Sequence, residues 1–311
     1  MTERKKVRFL SGEHECAAWH YPGTNNACLI MAGGTAVTKE PGTDLFAARF
    51  QDAGFHVLAF DHRRFGESGG RPRQVVRIGE QLADWRAAIA FAATLEGVDA
   101  DRLAAWGFSL AGGHMFPVAE QNPRLAAAIA QTPLADGLAA ARAAARHQRP
   151  AAMLRFTVRG LLDAAGALIG RSPLLVPLDG EPGTVAMLTT PDSRDGDRAL
   201  NPGNRHRDWQ QAVAARAGLR ITMYRPGRRA SRVACPILVV ACEQDQSVLF
   251  ETGARAAERA PHGELVRLPG GHYAPFLAAH EQAVDAEVAF LRRHLLDQPL
   301  DRSLSRSGRR S

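Results

Sequence analysis

Short apolar runs alternate with amphipathic stretches over most of this chain. A run that is apolar throughout predicts a buried parallel strand, because helices cover both faces of such a strand. Strand-like runs lie at 27–32, 55–60, 102–106, 125–130, 236–242 and 264–268. In the helical stretch after the second of these runs, Ile78, Leu82, Trp85 and Ile89 recur on one face. This alternation predicts an α/β fold with a mostly parallel central sheet flanked by helices.

The alternation begins and ends with different patterns. Residues 7–10 and 13–21, joined at Ser11 and Gly12, predict two antiparallel opening strands. The last helix is predicted from an apolar face near the end of the chain, formed by Val284, Val288, Leu291 and Leu295. No internal repeat accompanies this pattern.

The strand–helix alternation stops between Asp136 and about Ser231. Helices are predicted at 137–148, 153–169 and 209–218, whereas 171–204 is rich in Pro, Gly, Asp and Asn. An insertion of this length, at this place in the chain, is expected to cover the carboxyl edge of the sheet as a helical cap and to shape the pocket. The predicted division is a core of 1–136 and 232–297, a cap of 137–231 and a disordered basic tail of 298–311.

Composition points to a soluble globular protein. Of the 311 residues, 45% are hydrophobic and 23% are charged, and no apolar run approaches the length of a membrane span. The first residues carry positive charge without an apolar stretch behind them, so no signal peptide is expected. The four cysteines lack metal-ligand spacing and are expected to be buried, reduced thiols in a cytoplasmic protein: Cys16, Cys28, Cys235 and Cys242.

The net charge of +7 is confined to the two ends of the chain. Residues 2–8 carry a net +3 and residues 302–311 a net +4, which together account for the whole excess. Because the body of the chain is neutral, neither nucleic acid nor a membrane is expected as a partner. The sequence leaves a homo-oligomer open.

The stretch from Arg102 to Gly113 carries the main candidate for chemistry. A strand-like run is followed by Gly107-Phe-Ser109-Leu-Ala111, and a helical pattern begins at Leu110. A sharp turn from strand to helix needs small residues two positions before and two positions after the corner. The hydroxyl of Ser109 would then stand exposed at the carboxyl end of a sheet, where α/β folds bind ligands.

This G-x-S-x-A pattern resembles the nucleophile elbow of the α/β-hydrolase superfamily. The segment Asp61-x-Arg-x-Phe-Gly-x-Ser68 also resembles a family signature, and together they look most like the branch of dienelactone hydrolases and X-Pro dipeptidyl peptidases. The resemblance covers roughly residues 7–136 and 232–296. A second match, Gly66-x-Ser68-x-Gly70, lacks the strand–turn–helix context, so we interpret Ser68 as part of a surface turn stabilised by Asp–Arg pairing.

The resemblance implies a Ser–acid–His order, with each residue in a loop after a strand. The loops after 236–242 and 264–268 resemble the acid and histidine loops, which makes Asp245 the orienting acid and His272 the general base. Asp136 is the main alternative for the acid, and Glu243 is a weaker one. Other histidines near the same edge are expected to pack or to face solvent, namely His62 and His114.

The oxyanion hole needs two hydrogen-bond donors near the serine. One is expected to be the backbone N–H of Leu110. The resemblance places the other in the loop after 27–32, at Thr35 or, failing that, Gly34. The sequence contains no metal-ligand motif and no phosphate or dinucleotide loop, so no metal or cofactor is expected.

These residues predict a serine hydrolase that cleaves a carboxylic ester of a small-molecule acyl substrate through an acyl-enzyme. Two alternatives remain. One is an acyltransferase or thioesterase acting on a carrier-bound acyl group, and the other is a non-catalytic binder of small molecules on the same fold. The substrate cannot be inferred because residues 137–231 set the pocket.

Overall fold

The computed structural model of the chain describes residues 4–296. An eight-stranded sheet forms its centre, in the order β1-β2-β4-β3-β5-β6-β9-β10. The strands are β1 Lys5–Ser11, β2 His14–Tyr21, β3 Cys28–Ala32, β4 His56–Phe60, β5 Leu103–Phe108, β6 Ala127–Gln131, β9 Ile237–Cys242 and β10 Gly263–Leu268. Strand β2 pairs antiparallel with both β1 and β4, and all later pairs are parallel. The predicted mostly parallel sheet is confirmed, and the predicted tail 298–311 lies outside the described residues.

Helices pack on both faces of this sheet. They are α1 Thr43–Asp52, α2 Ile78–Ala92, α3 Leu110–Gln121, α8 Phe250–Arg259 and α9 His280–Leu291. Alternate residues of a strand serve opposite faces: Ile30 packs in the core with α2, α3 and α8, whereas Met31 packs with α1 and α9. Burial on both faces explains why the parallel strands are continuously apolar.

Residues 137–231 contribute no strand to the large sheet. They form α4 Gly137–His147, α5 Pro150–Leu168, α6 Gly196–Leu200 and α7 Arg216–Met223, with the strands β7 Leu175–Pro177 and β8 Ala212–Ala214 paired antiparallel. Buried side chains of this segment, including Val213 and Ile221, pack with Leu110, the first residue of α3, and with Leu134, in the loop after β6. The helix predicted at 209–218 is wrong, because β8 occupies its middle and α7 begins only at Arg216.

The cysteines lie in the interior of the protein, as expected from the sequence. All four cysteines are buried and free, and burial raises the pKa of each thiol, which favours the unreactive protonated form. Among the helices within 4–296, none has both the length and the apolarity to cross a bilayer.

Candidate active site

Ser109 occupies the sharp corner between β5 and α3. Its φ of 56° and ψ of −114° lie outside the ordinary strand and helix regions. A Cβ added to Gly107 would lie 2.3 Å from the carbonyl oxygen of Ala111, so that position admits only glycine without a backbone shift. The small residues thus allow the chain to fold back closely beneath the serine.

The structure brings Ser109, His272 and Asp245 together in one hydrogen-bonded series. His272 follows β10 and places Nε2 3.0 Å from the Ser109 hydroxyl oxygen. Its Nδ1 lies 2.8 Å from a carboxylate oxygen of Asp245, in the loop after β9. The other Asp245 oxygen accepts the backbone N–H groups of Ser247 and Val248, both at 2.9 Å, which orients the carboxylate.

The surroundings of His272 favour its protonated form. Burial would lower the pKa of the imidazole, but the charge and hydrogen bond of Asp245, together with the charge of Asp192, raise that pKa above its ordinary value of 6.5. An imidazole with this bias accepts a proton readily, as a general base must.

Asp192 is a residue of this site that the sequence reasoning missed. It lies in a short helical turn between β7 and α6, which is distant in sequence from the strands that carry Ser109, Asp245 and His272. One oxygen accepts the backbone N–H groups of Gln246, at 2.8 Å, and His272, at 3.2 Å, and the other accepts the Ser247 hydroxyl, at 2.9 Å. Asp192 therefore ties the acid loop to the histidine loop.

Asp192 is held as a carboxylate despite its burial. Burial would raise its pKa, but the charge of His272 and the backbone N–H groups of Gln246 and His272 lower it below its ordinary value of 3.8. A negative charge thus stays close to the imidazole without bonding to either ring nitrogen.

The alternative acids are engaged elsewhere. Asp136 accepts the N–H groups of Leu138 and Ala139 at the start of α4, both at 3.1 Å, and pairs with Arg225 at 2.6 Å. Glu243 pairs with Arg267 at 3.1 Å and is partly exposed.

The two histidines that were expected to pack or to face solvent are both buried. His114 lies 2.8 Å from the Tyr224 hydroxyl and 3.0 Å from the side-chain oxygen of Gln81. His62 is buried beside Asp84, at 3.3 Å.

Ser68 is buried, so its predicted place in a surface turn is wrong. Its hydroxyl accepts the N–H of Ala17, at 2.8 Å, and donates to the carbonyl of Asp61, at 2.7 Å. The expected Asp–Arg pairing within the motif is also wrong, since Asp61 pairs with Lys39 at 3.1 Å. The motif serves structure through contacts that the sequence pattern did not indicate.

Leu110, Thr35 and Gly34 lie around the serine, as an oxyanion hole would require. Leu110 is the first residue of α3, where backbone N–H groups lack partners within the helix. Thr35 and Gly34 line the same cavity as Ser109. A Cβ added to Gly34 would lie 3.0 Å from that of Ser109, so the β3 loop passes directly beside the serine.

A cavity of about 540 Å³ opens above Ser109 and His272. Most of its wall comes from residues 137–231 and is apolar, including Ala140, Ala141, Ala144, Ala145, Met153, Phe156, Leu188, Leu219 and Ile221. Asp179 is the one carboxylate in this lining, and burial raises its pKa. The cavity suits an elongated apolar group whose reacting end reaches Ser109.

Over the described range 4–296, no group of three or more His, Cys, Asp or Glu side chains is arranged to hold a metal ion.

Comparisons with known proteins agree with this architecture. The quorum-quenching protein AidA of Acinetobacter baumannii (strain MDR-ZJ06) is 36% identical over 291 residues, which cover 92% of this chain and 94% of that protein. A polyketide transferase of Aspergillus fumigatus is 29% identical over 166 residues, 53% of this chain and 54% of that protein.

A solved structure and a family model extend the comparison. The alpha/beta hydrolase GrgF from Penicillium sp. sh18 has a TM-score of 0.76 at 22% identity, covering 94% of this chain and 99% of that one, a likeness of fold. The family model described as alpha/beta hydrolase fold matches residues 31–279. With most of its length matched in this way, the chain belongs to the alpha/beta hydrolase fold family.

Proposed function

We propose that this protein is a serine hydrolase that cleaves carboxylic esters, cyclic esters included, through an acyl-enzyme. The observation that supports this most directly is the hydrogen-bonded series from Ser109 through His272 to Asp245, at 3.0 and 2.8 Å. In this proposal Ser109 is the nucleophile, His272 the general base and Asp245 the acid that orients it.

In the proposed reaction, His272 carries the proton in both acylation and deacylation. His272 Nε2 removes the proton from the Ser109 hydroxyl as its oxygen attacks the ester carbonyl, and Asp245 stabilises the imidazolium. The N–H groups of Leu110 and Thr35 bind the oxyanion. His272 then protonates the departing alkoxide, which leaves the acyl group on Ser109. The same imidazole then deprotonates a water molecule that attacks the acyl carbonyl, and the imidazolium returns this proton to the Ser109 oxygen as the acid leaves.

The apolar cavity supports an acyl chain as the main recognition element. Residues 137–231 act as a cap in this proposal, because they supply most of the lining. An acyl lactone joins such a chain to a cyclic ester, so we include acyl lactones among the candidate substrates; one relative of this chain is named a quorum-quenching protein. The relative named polyketide transferase favours a second candidate, transfer of a carrier-bound acyl group to an acceptor other than water.

A fluorophosphonate probe tests the nucleophile. Ser109 should be labelled stoichiometrically, and Ser109→Ala should abolish labelling and lower kcat for p-nitrophenyl esters by about 10³-fold or more while the protein stays folded. Ser68→Ala serves as the matched control, and this variant should still be labelled at Ser109. Absence of labelling in the folded wild-type protein would favour the non-catalytic binder, and labelling at another residue would overturn Ser109 as the nucleophile.

A second assay separates hydrolysis from transfer. Esters, acyl lactones and acyl thioesters of matched chain length are compared with and without an alcohol acceptor. Hydrolysis predicts free acid as the product in both cases. A product that shifts to the new ester, with thioesters preferred, would replace the hydrolase proposal by the transferase.

A further inference from the structure

A second cavity, of about 310 Å³, lies at the surface and is lined by nine residues, four of which are arginines. The four that line it are Arg225, Arg228, Arg255 and Arg259. The first two lie at the short helical turn that follows α7, and the other two are four residues apart on α8. Side chains at this helical spacing share one face, so both elements direct cations toward the same space.

The positive charge of this cavity is largely uncompensated. Asp136 is the one carboxylate in its lining, and Arg225 already holds it through two nitrogens, at 2.9 and 2.6 Å. Within residues 4–296, the structure shows no ion pair for Arg228, Arg255 or Arg259. Gathering like charges on a concave surface opposes folding, and an anion held among them would relieve that cost.

The shape of the cavity indicates what kind of anion fits. Guanidinium groups form paired hydrogen bonds with phosphate oxygens, and the pair between Arg225 and Asp136 holds one of these groups in place. A volume of about 310 Å³ exceeds that of a lone ion and lies at the lower end of small-molecule pockets. Phosphate attached to part of an organic molecule satisfies both the charge and the space.

The cavity is separate from the candidate active site but shares a wall with it. Leu134 and Gly137 line the cavity above Ser109, whereas Ala135 and Asp136, between them in sequence, line the second cavity, which we call the arginine cavity. Asp136 also caps α4, whose alanines line the cavity above Ser109. We propose that this arginine cavity binds the phosphate group of a phosphorylated small molecule, at a site that does not require Ser109.

Titration calorimetry at constant ionic strength tests this site. The probes are pyrophosphate, ADP, inorganic phosphate and adenosine, with adenosine as the ligand that lacks phosphate. Saturable binding of ADP at one site per chain is expected, with weaker binding of pyrophosphate and no binding of adenosine. If inorganic phosphate binds as tightly as ADP, the site recognises the free ion, and the proposal of an organic phosphate as the ligand is overturned.

Two matched double variants locate the binding. Arg255→Gln with Arg259→Gln should weaken binding at least about tenfold, since each removes a charge-assisted hydrogen bond. Arg229→Gln with Arg232→Gln removes the same charge from cations that pair with Glu120 outside the cavity, and should change the Kd less than about twofold. Equal losses in the two variants, or no binding by the wild type, would overturn the proposal.

The same measurement separates this site from the proposed hydrolase. Ser109→Ala should bind ADP or pyrophosphate as the wild type does. Thermal unfolding supplies a second readout, because a ligand that binds only the folded chain raises Tm. A Tm rise with pyrophosphate that persists in the variant lacking Arg255 and Arg259 would contradict binding in this cavity.

Discussion

At the scale of single residues, the carboxylate of Asp192 connects three parts of the candidate site. It lies in residues 137–231, yet it bonds to the backbone of His272 and to both Gln246 and Ser247 in the acid loop. A group placed there both positions the loops and adds negative charge near the imidazole. The first effect should appear in kcat and the second in the pH profile.

Asp192→Asn should shift the acidic limb of the kcat/KM profile to lower pH. The base must be neutral, and removing a nearby negative charge lowers the pKa of His272 from its raised value. A loss in kcat of about tenfold should accompany the shift, because charge-assisted hydrogen bonds to two loops are weakened. Asp195→Asn, in the same turn but paired with Arg198, is the control and should leave the profile in place.

The choice of acid is a second question about single residues. Asp245→Asn should lower kcat by about 10³- to 10⁴-fold, because the amide no longer stabilises the imidazolium or the required tautomer. Asp136→Asn should retain most of the activity, since its carboxylate caps α4 and pairs with Arg225. Steady-state kinetics on both purified variants decides, and a reversed order of the two losses would make Asp136 the acid.

At the scale of secondary-structure elements, the sequence predicted the helices and strands whose apolar residues recur at regular spacing. The helix α2 and the buried strands follow from apolar periodicity, and the elbow follows from the spacing of small residues around Ser109. The helix expected over 209–218 is wrong because β8 there pairs with β7, a contact between distant residues that no local pattern reveals. Asp192 was missed for the same reason, since its value lies in bonds to loops more than fifty residues away.

The loop after β3 offers a test at this scale. Gly34→Ala would place a methyl group 3.0 Å from Cβ of Ser109 and 3.4 Å from the ring of Phe108. Crowding of Ser109, the proposed nucleophile, should lower kcat by about tenfold or more, with little change in the free energy of unfolding. Gly79→Ala is the matched control, because its added Cβ meets nothing within 4 Å, and it should keep wild-type kcat. Kinetics and denaturation of both variants check this, and a purely destabilising Gly34→Ala would argue against the assigned place of the loop.

At the scale of the whole molecule, a buried carboxyl group links stability to pH. Glu287 of α9 is fully buried and accepts a hydrogen bond from the Trp106 indole, at 3.1 Å. Burial raises its pKa well above the ordinary 4.5, although this hydrogen bond opposes the shift. The folded chain therefore keeps a proton that the unfolded chain releases, and the contribution of Glu287 to stability falls as pH rises above 4.5 toward the raised value.

Glu287→Gln should remove that fall. The amide still accepts from Trp106 but does not ionise, so the free energy of unfolding should lose a slope of up to about 1.4 kcal/mol per pH unit. Denaturant unfolding of both proteins from pH 5 to pH 8 measures the difference. Glu281→Gln, at an exposed position on the same helix, is the control and should leave the slope close to that of the wild type.

The cavity above Ser109 is lined both by residues 137–231 and by loops at the carboxyl edge of the sheet. Selection of the substrate should therefore depend on how these two parts pack together. Ala144→Phe would fill part of the cavity from α4. For the longest p-nitrophenyl esters kcat/KM should fall about tenfold or more, whereas acetate should change less than about twofold, because Ser109 and His272 are untouched. Arg142→Phe, exposed on the same helix and outside the lining, should leave the chain-length profile unchanged. Equal losses for short and long esters would mean that the acyl chain binds elsewhere, and the cavity would then lose its role in recognition.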